Sequence, residues 1–202
     1  RMGVEKVYTL QQMPVQLLES AFGKYGIMMW EKANGIDLSP ITPYTDRKSL
    51  SSEETFDKDT MDIEMLESLL VSMTEDLCFK MRKENFLSGC ISVKIRYSDF
   101  NTHTQQIKIP YTSADHLLIP QVKELFRKLY NRRMLIRLIG VRLSQLVRGH
   151  HQIHLFNDSE EQIHLYQAMD YINSRYGNKA IHRAVTTGIS RRSFNPFNGI
   201  KA

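Results

Sequence analysis

Apolar and polar side chains alternate most regularly from Ile91 to Ser98, where Ile91, Val93, Ile95 and Tyr97 are separated by Ser92, Lys94, Arg96 and Ser98. This two-residue period predicts a strand with one apolar and one basic face. Asp99-Phe100-Asn101-Thr102 supplies turn residues, and the next strand turns Ile107 and Ile109 inward with Thr104, Gln106 and Lys108 outward. A last strand, Met134 to Val147, changes phase: Ile136 and Leu138 share one face, whereas Val141 and Leu143 continue it one residue late. Gly140 is the expected bulge, and it would send Arg137 and Arg142 to the same side. An extended segment from Lys48 to Phe56 gives a fourth strand. Two stretches instead carry the helical period: Asp59–Glu84, with Leu66, Leu69, Leu70, Met73, Leu77 and Met81, and Ala114–Tyr130, with Leu118, Val122, Leu125, Phe126 and Leu129. Pro120 lies near enough to the start of the second to be tolerated.

The order is therefore β-α-β-β-α-β. It predicts an α+β domain whose four-stranded sheet is covered by two helices on one face and left open on the other. Residues 1–38 read as short helices, with Pro14 as a first helical residue, Gly23 and Gly26 as punctuation, and Gly35 ending the last helix in a left-handed conformation. Pro40 and Pro43 bar regular structure, so 39–45 reads as a linker, 46–148 as the main domain and 149–202 as an attachment. Within that attachment, Ser159 and Gln162 form a capping box for a C-terminal helix reaching Tyr176, with Ile163, Tyr166, Met169 and Ile172 packing it back. The tail beyond Gly177, including Arg191-Arg192 and Asn195-Pro196-Phe197-Asn198, lacks periodicity and reads as mobile.

Charge sharpens this picture. The formal net charge is +5 over 202 residues, but residues 46–88 hold 6 Lys and Arg against 11 Asp and Glu, and residues 89–150 hold 11 against 3. Positive charge is thus concentrated as a polyanion-binding face requires. On the open face would stand Lys48, Ser49, Lys94, Arg96, Thr104, Gln106, Lys108, Arg137 and Arg142, with almost no acid. Such residues hold phosphates without reading bases. Tyr97 is inward and Phe100 is in a turn, so base-stacking platforms are not expected and backbone tracking of a duplex fits better.

Other chemistry finds little support. No apolar run approaches the roughly 18 residues of a membrane span, and the first residues lack a signal-peptide pattern, so the expectation is a soluble protein in the cytoplasm with no membrane partner. Cys78 and Cys90 lack CxxC spacing and read as buried reduced thiols. His150 and His154 lie four apart, but no third ligand accompanies them, and neither cysteine falls in a nucleophile pattern.

Arg47-Lys48-Ser49 followed by Glu54-Thr55-Phe56 resembles the opening strand of the little finger of Y-family DNA polymerases. The segment from Val93 to Phe100 resembles that family's central hairpin, and Ile136 to Ser144 its last strand. Met2-Gly3-Val4, Phe22-Gly23-Lys24-Tyr25-Gly26 and Ala33-Asn34-Gly35-Ile36-Asp37 resemble the end of its thumb. The resemblance implies a little finger at 46–148 and a partial thumb at 1–38, which together hold primer-template DNA. It implies a parent enzyme of translesion synthesis and DNA repair, a nucleotidyltransferase using Mg2+ and deoxynucleoside triphosphates on palm carboxylates. The palm motifs have no counterpart in this chain, so no cofactor and no catalysis are expected of it alone, and the palm and fingers are expected as partners. Where the family often has basic residues after the hairpin turn, this chain has Thr102-His103-Thr104-Gln105-Gln106, implying a weaker grip. Gln152-Ile153-His154-Leu155-Phe156 resembles the bacterial sliding-clamp pentapeptide, implying clamp contacts by Gln152, Ile153, Leu155 and Phe156, with Leu155 and Phe156 filling a pocket while Gln152 fixes register through its amide. A noncatalytic relative of the family and a stand-alone DNA-binding or protein-interaction module are the alternatives.

Overall fold

Four strands and two long helices form where the two-residue and 3.6-residue periods predict them. The computed structural model describes residues 3–41, 47–149, 160–177 and 180–188, and the chain divides into two units, 1–46 and 47–202.

The first unit holds three short helices, α1 (Val7–Gln12), α2 (Val15–Phe22) and α3 (Lys24–Ala33). Pro14 caps α2 instead of opening it. Gly23, at φ 59°, joins α2 directly to α3, and Gly35 is left-handed at φ 76° as expected. Gly26 is not punctuation: it is buried inside α3, where a Cβ would collide with the Leu18 carbonyl. The missing side chain lets α2 and α3 cross closely around the buried Leu18.

The second unit contains β1 (Ser49–Thr60), α4 (Ile63–Lys83), β2 (Phe86–Tyr97), β3 (Thr102–Thr112), α5 (Asp115–Leu129), β4 (Ile136–Arg148) and α6 (Glu160–Tyr176). Its sheet is antiparallel in the order β1-β4-β2-β3. The apolar stripes of α4 and α5 meet Ile91, Val93, Ile95, Ile139, Val141 and Leu143 in one core, and each fully buried Leu or Ile stabilises it by about 1.5–3 kcal/mol.

Three boundaries differ from expectation. β1 continues through Asp57-Lys58-Asp59, and α4 starts later, because Asp62 is the N-cap and its carboxylate accepts the Met65 N–H at 3.0 Å. β2 begins at Phe86, where burial is continuous from Phe86 to Val93, so this end of an interior strand shows no alternation. The bulge in β4 falls at Arg137 and not at Gly140: Tyr97 pairs with Ile136 but Arg96 with Leu138, leaving Arg137 as the extra residue. Ile136 and Ile139 then face the core, while Leu138 joins the other side.

α6 lies against the helical layer. Arg82 near the end of α4 organises the contact, donating to both Asp170 oxygens at 2.7 and 2.9 Å, to Asp115 at 2.6 Å and to the Ser113 carbonyl at 3.0 Å, with its guanidinium 4.8 Å from the Tyr166 ring centre. Burial opposes the Arg82 charge, but Asp170 and Asp115 outweigh it and hold the guanidinium further above its ordinary range. The described part of the tail is also anchored, since Arg183 reaches Glu75 at 2.8 Å and Asp115 at 3.5 Å. The segment expected to be mobile is therefore tied down over 180–188, and 189–202 lies outside the described residues.

Candidate nucleic-acid interface

Strand register decides which side chains share the open face. Lys94 pairs with Thr104 and Gly140, Arg96 with Thr102, Ser92 with Gln106 and Arg142, and Cys90 with Lys108. Lys94, Arg96, Arg142, Thr104, Gln106 and Lys108 therefore project to one side, opposite α4 and α5. Ser49 joins them, since its Oγ accepts from Arg142 Nη2 at 3.0 Å, and Arg96 Nε donates to Thr102 Oγ1 at 2.8 Å.

Two of the expected residues stand apart. Lys48 precedes β1, and alternation from Ser49 puts Lys48 on the parity of Leu50, which is a core residue. Arg137 sits at the bulge, its guanidinium 4.6 Å from the Phe100 ring centre and 3.7 Å from Asp59. It marks the hairpin end of the sheet, already engaged by two partners.

The face was expected to hold almost no acid, and one acid is found on it. Glu53 shares the parity of Ser49 and pairs in register with Gly140, and its carboxylate meets Lys94 Nζ at 2.6 Å. Simple alternation along 49–55 would have found it. Phe100 was less legible: it is 64 % exposed at φ 65°, a left-handed conformation that a turn pattern alone does not assign to an aromatic residue.

Both cysteines are withdrawn from solvent. Cys78 and Cys90 are buried free thiols, and burial, followed by the Asp115 charge, pushes the Cys78 thiol well up. Among the described residues no group of three or more His, Cys, Asp and Glu side chains could hold a metal ion. No described helix is long and apolar enough to cross a membrane. Gln152, Ile153, Leu155 and Phe156, with the neighbouring histidines, lie outside the described residues.

The profile of the impB/mucB/samB family C-terminal domain matches residues 47–155. A DNA polymerase IV of Clostridium acetobutylicum is 35% identical over 188 residues, covering 90% of this chain and 47% of the relative. A DNA polymerase IV of Desulfatibacillum aliphaticivorans is 28% identical over 199 residues, covering 95% of this chain and 50% of the relative. The chain thus spans about half the length of these curated relatives. A solved Y-family DNA polymerase chimera of Dbh and Dpo4 aligns over 73% of this chain and 42% of its own, at 20% identity and a TM-score of 0.47. With the profile match covering more than half of its length, the chain belongs to the impB/mucB/samB family and carries that family's C-terminal domain over residues 47–155.

Proposed function

We propose that the open face of the sheet grips the backbone of primer-template DNA without reading its sequence, as the little finger of a cytoplasmic translesion polymerase acting in DNA repair. The observation that carries this reading is the shared row of Lys94, Arg96 and Arg142 beside Ser49, Thr104, Gln106 and Lys108. Arginines and lysines meet phosphates, hydroxyls and amides add hydrogen bonds, and none of this needs a base edge. The first unit is read as part of the thumb. Magnesium and deoxynucleoside triphosphates belong to palm residues outside this chain, and no chemical step is assigned to it. The pentapeptide from Gln152 to Phe156 is read as the tether to a sliding clamp.

The test is a titration of primer-template DNA with the chain and its Arg96→Gln/Arg142→Gln variant over a salt series. Two lost phosphate contacts should reduce the salt slope by about 1.8, at about 0.9 per contact, and weaken binding equally across unrelated sequences. An unchanged slope removes the face from the interface.

A further inference from the structure

Three adjacent strands contribute one row across the middle of the open face. Glu53 of β1 pairs in register with Gly140 of β4, and Gly140 pairs with Lys94 of β2. Two strand spacings put the Glu53 and Lys94 backbones about 10 Å apart, so a side chain on the strand between them would obstruct their meeting. Gly140 removes that obstacle. The Glu53 stem lies across it so closely that a Cβ at 140 would stand 2.6 Å from Glu53 Cγ and 3.1 Å from the Ser52 carbonyl oxygen. The carboxylate then reaches Lys94 Nζ at 2.6 Å. Arg96 and Arg142 are treated differently, for on the same face they donate to the hydroxyls of Thr102 and Ser49, neutral groups that do not cancel a cation's charge.

We infer that Glu53, laid across Gly140, is a restraining acid that occupies Lys94 and sets a weaker, less salt-dependent grip on the sugar-phosphate backbone. The inference rests on the reading of the open face as the DNA interface. A lysine already paired at 2.6 Å neutralises a phosphate only by leaving its acid exposed beside the DNA, so the central cation contributes less than its position promises. Gly140 is the enabling residue: its role is the passage of another residue's side chain, not the bend of its own strand.

The test is a fluorescence-anisotropy titration of labelled primer-template DNA with the whole chain over a salt series. Glu53→Gln should raise affinity roughly eightfold at about 0.1 M salt and steepen the salt slope by about 0.9, the effect of one added phosphate contact. Gly140→Ala, which changes no charge, should move both in the same direction by displacing the Glu53 stem. In a Lys94→Gln background, neither substitution should matter. Glu53→Gln acts on a partly exposed side chain, so it decides the matter even if Gly140→Ala unfolds. An unchanged or weakened Glu53→Gln variant overturns the inference, and so does an equal gain in the Lys94→Gln background, which would mean plain repulsion of DNA by the acid. If instead the unaltered chain binds duplex with no salt dependence, or the double arginine variant binds as tightly, the underlying reading of the face fails.

Discussion

Replacing Arg82 with Met removes a side chain that joins α4 to the start of α5 and to α6. Four hydrogen bonds and a ring contact disappear together. The larger effect falls on what remains, because the Asp115 side chain is only 3 % exposed and loses its closest cation. Stranding a buried charge in this way costs about 3–5 kcal/mol. Arg183, 3.5 Å from Asp115, stays as a second cation, and Asp170 has access to water, so we expect the lower end, about 3 kcal/mol. In a domain of this size that is a fall of roughly 6–12 °C in melting temperature. Urea unfolding of the chain and its Arg82→Met variant gives the free energy, and amide exchange along α6 gives the location, with protection at Tyr166 to Asn173 lost before that of β2. A triple variant, Arg82→Met with Asp115→Asn and Asp170→Asn, should recover most of the loss, since no charge is then left unpaired. A single variant within about 1 kcal/mol of the parent would refute the assignment of Arg82 as the hub.

Three further outcomes are expected. Glu67 accepts from Arg127 at 2.7 and 3.1 Å and lies 3.4 Å from Lys123, and the Arg127 hydrogen bonds hold its carboxyl below the usual range. A depressed folded pKa contributes stability above the unfolded value and loses it as pH falls through the folded one. Arg127→Gln should therefore flatten the loss of stability on acidification below about pH 4.5, and parallel melting curves of parent and variant would contradict this. Cys78 is held as a thiol by burial and Cys90 is buried as well, so a thiol reagent should label neither in the native chain and both after unfolding. Leu155→Ala with Phe156→Ala should abolish pull-down by a bacterial sliding clamp while leaving the melting temperature unchanged, and retained pull-down would reassign the pentapeptide to packing.

The amino-acid pattern by itself determined the class of fold, because burial on one side of a strand or helix writes its period directly into the chain. Ile91 to Tyr97 and the stripe of α4 needed no neighbours to be read. The open face was legible for the same reason wherever a strand is half-buried, which is why Lys94, Arg96, Thr104, Gln106 and Lys108 fell on one side. What only the tertiary structure decided was register between strands. The bulge sits at Arg137 because Ile136 must meet Tyr97 while Leu138 meets Arg96, and a period read along one strand cannot weigh those pairings. Glu53 reaches Lys94, 41 residues away along the chain, over a strand that follows both in sequence but lies between them in the sheet. Likewise, the Arg82 cluster joins residues 33 and 88 positions apart, and the two acids meet the one cation only after folding has brought the three elements together.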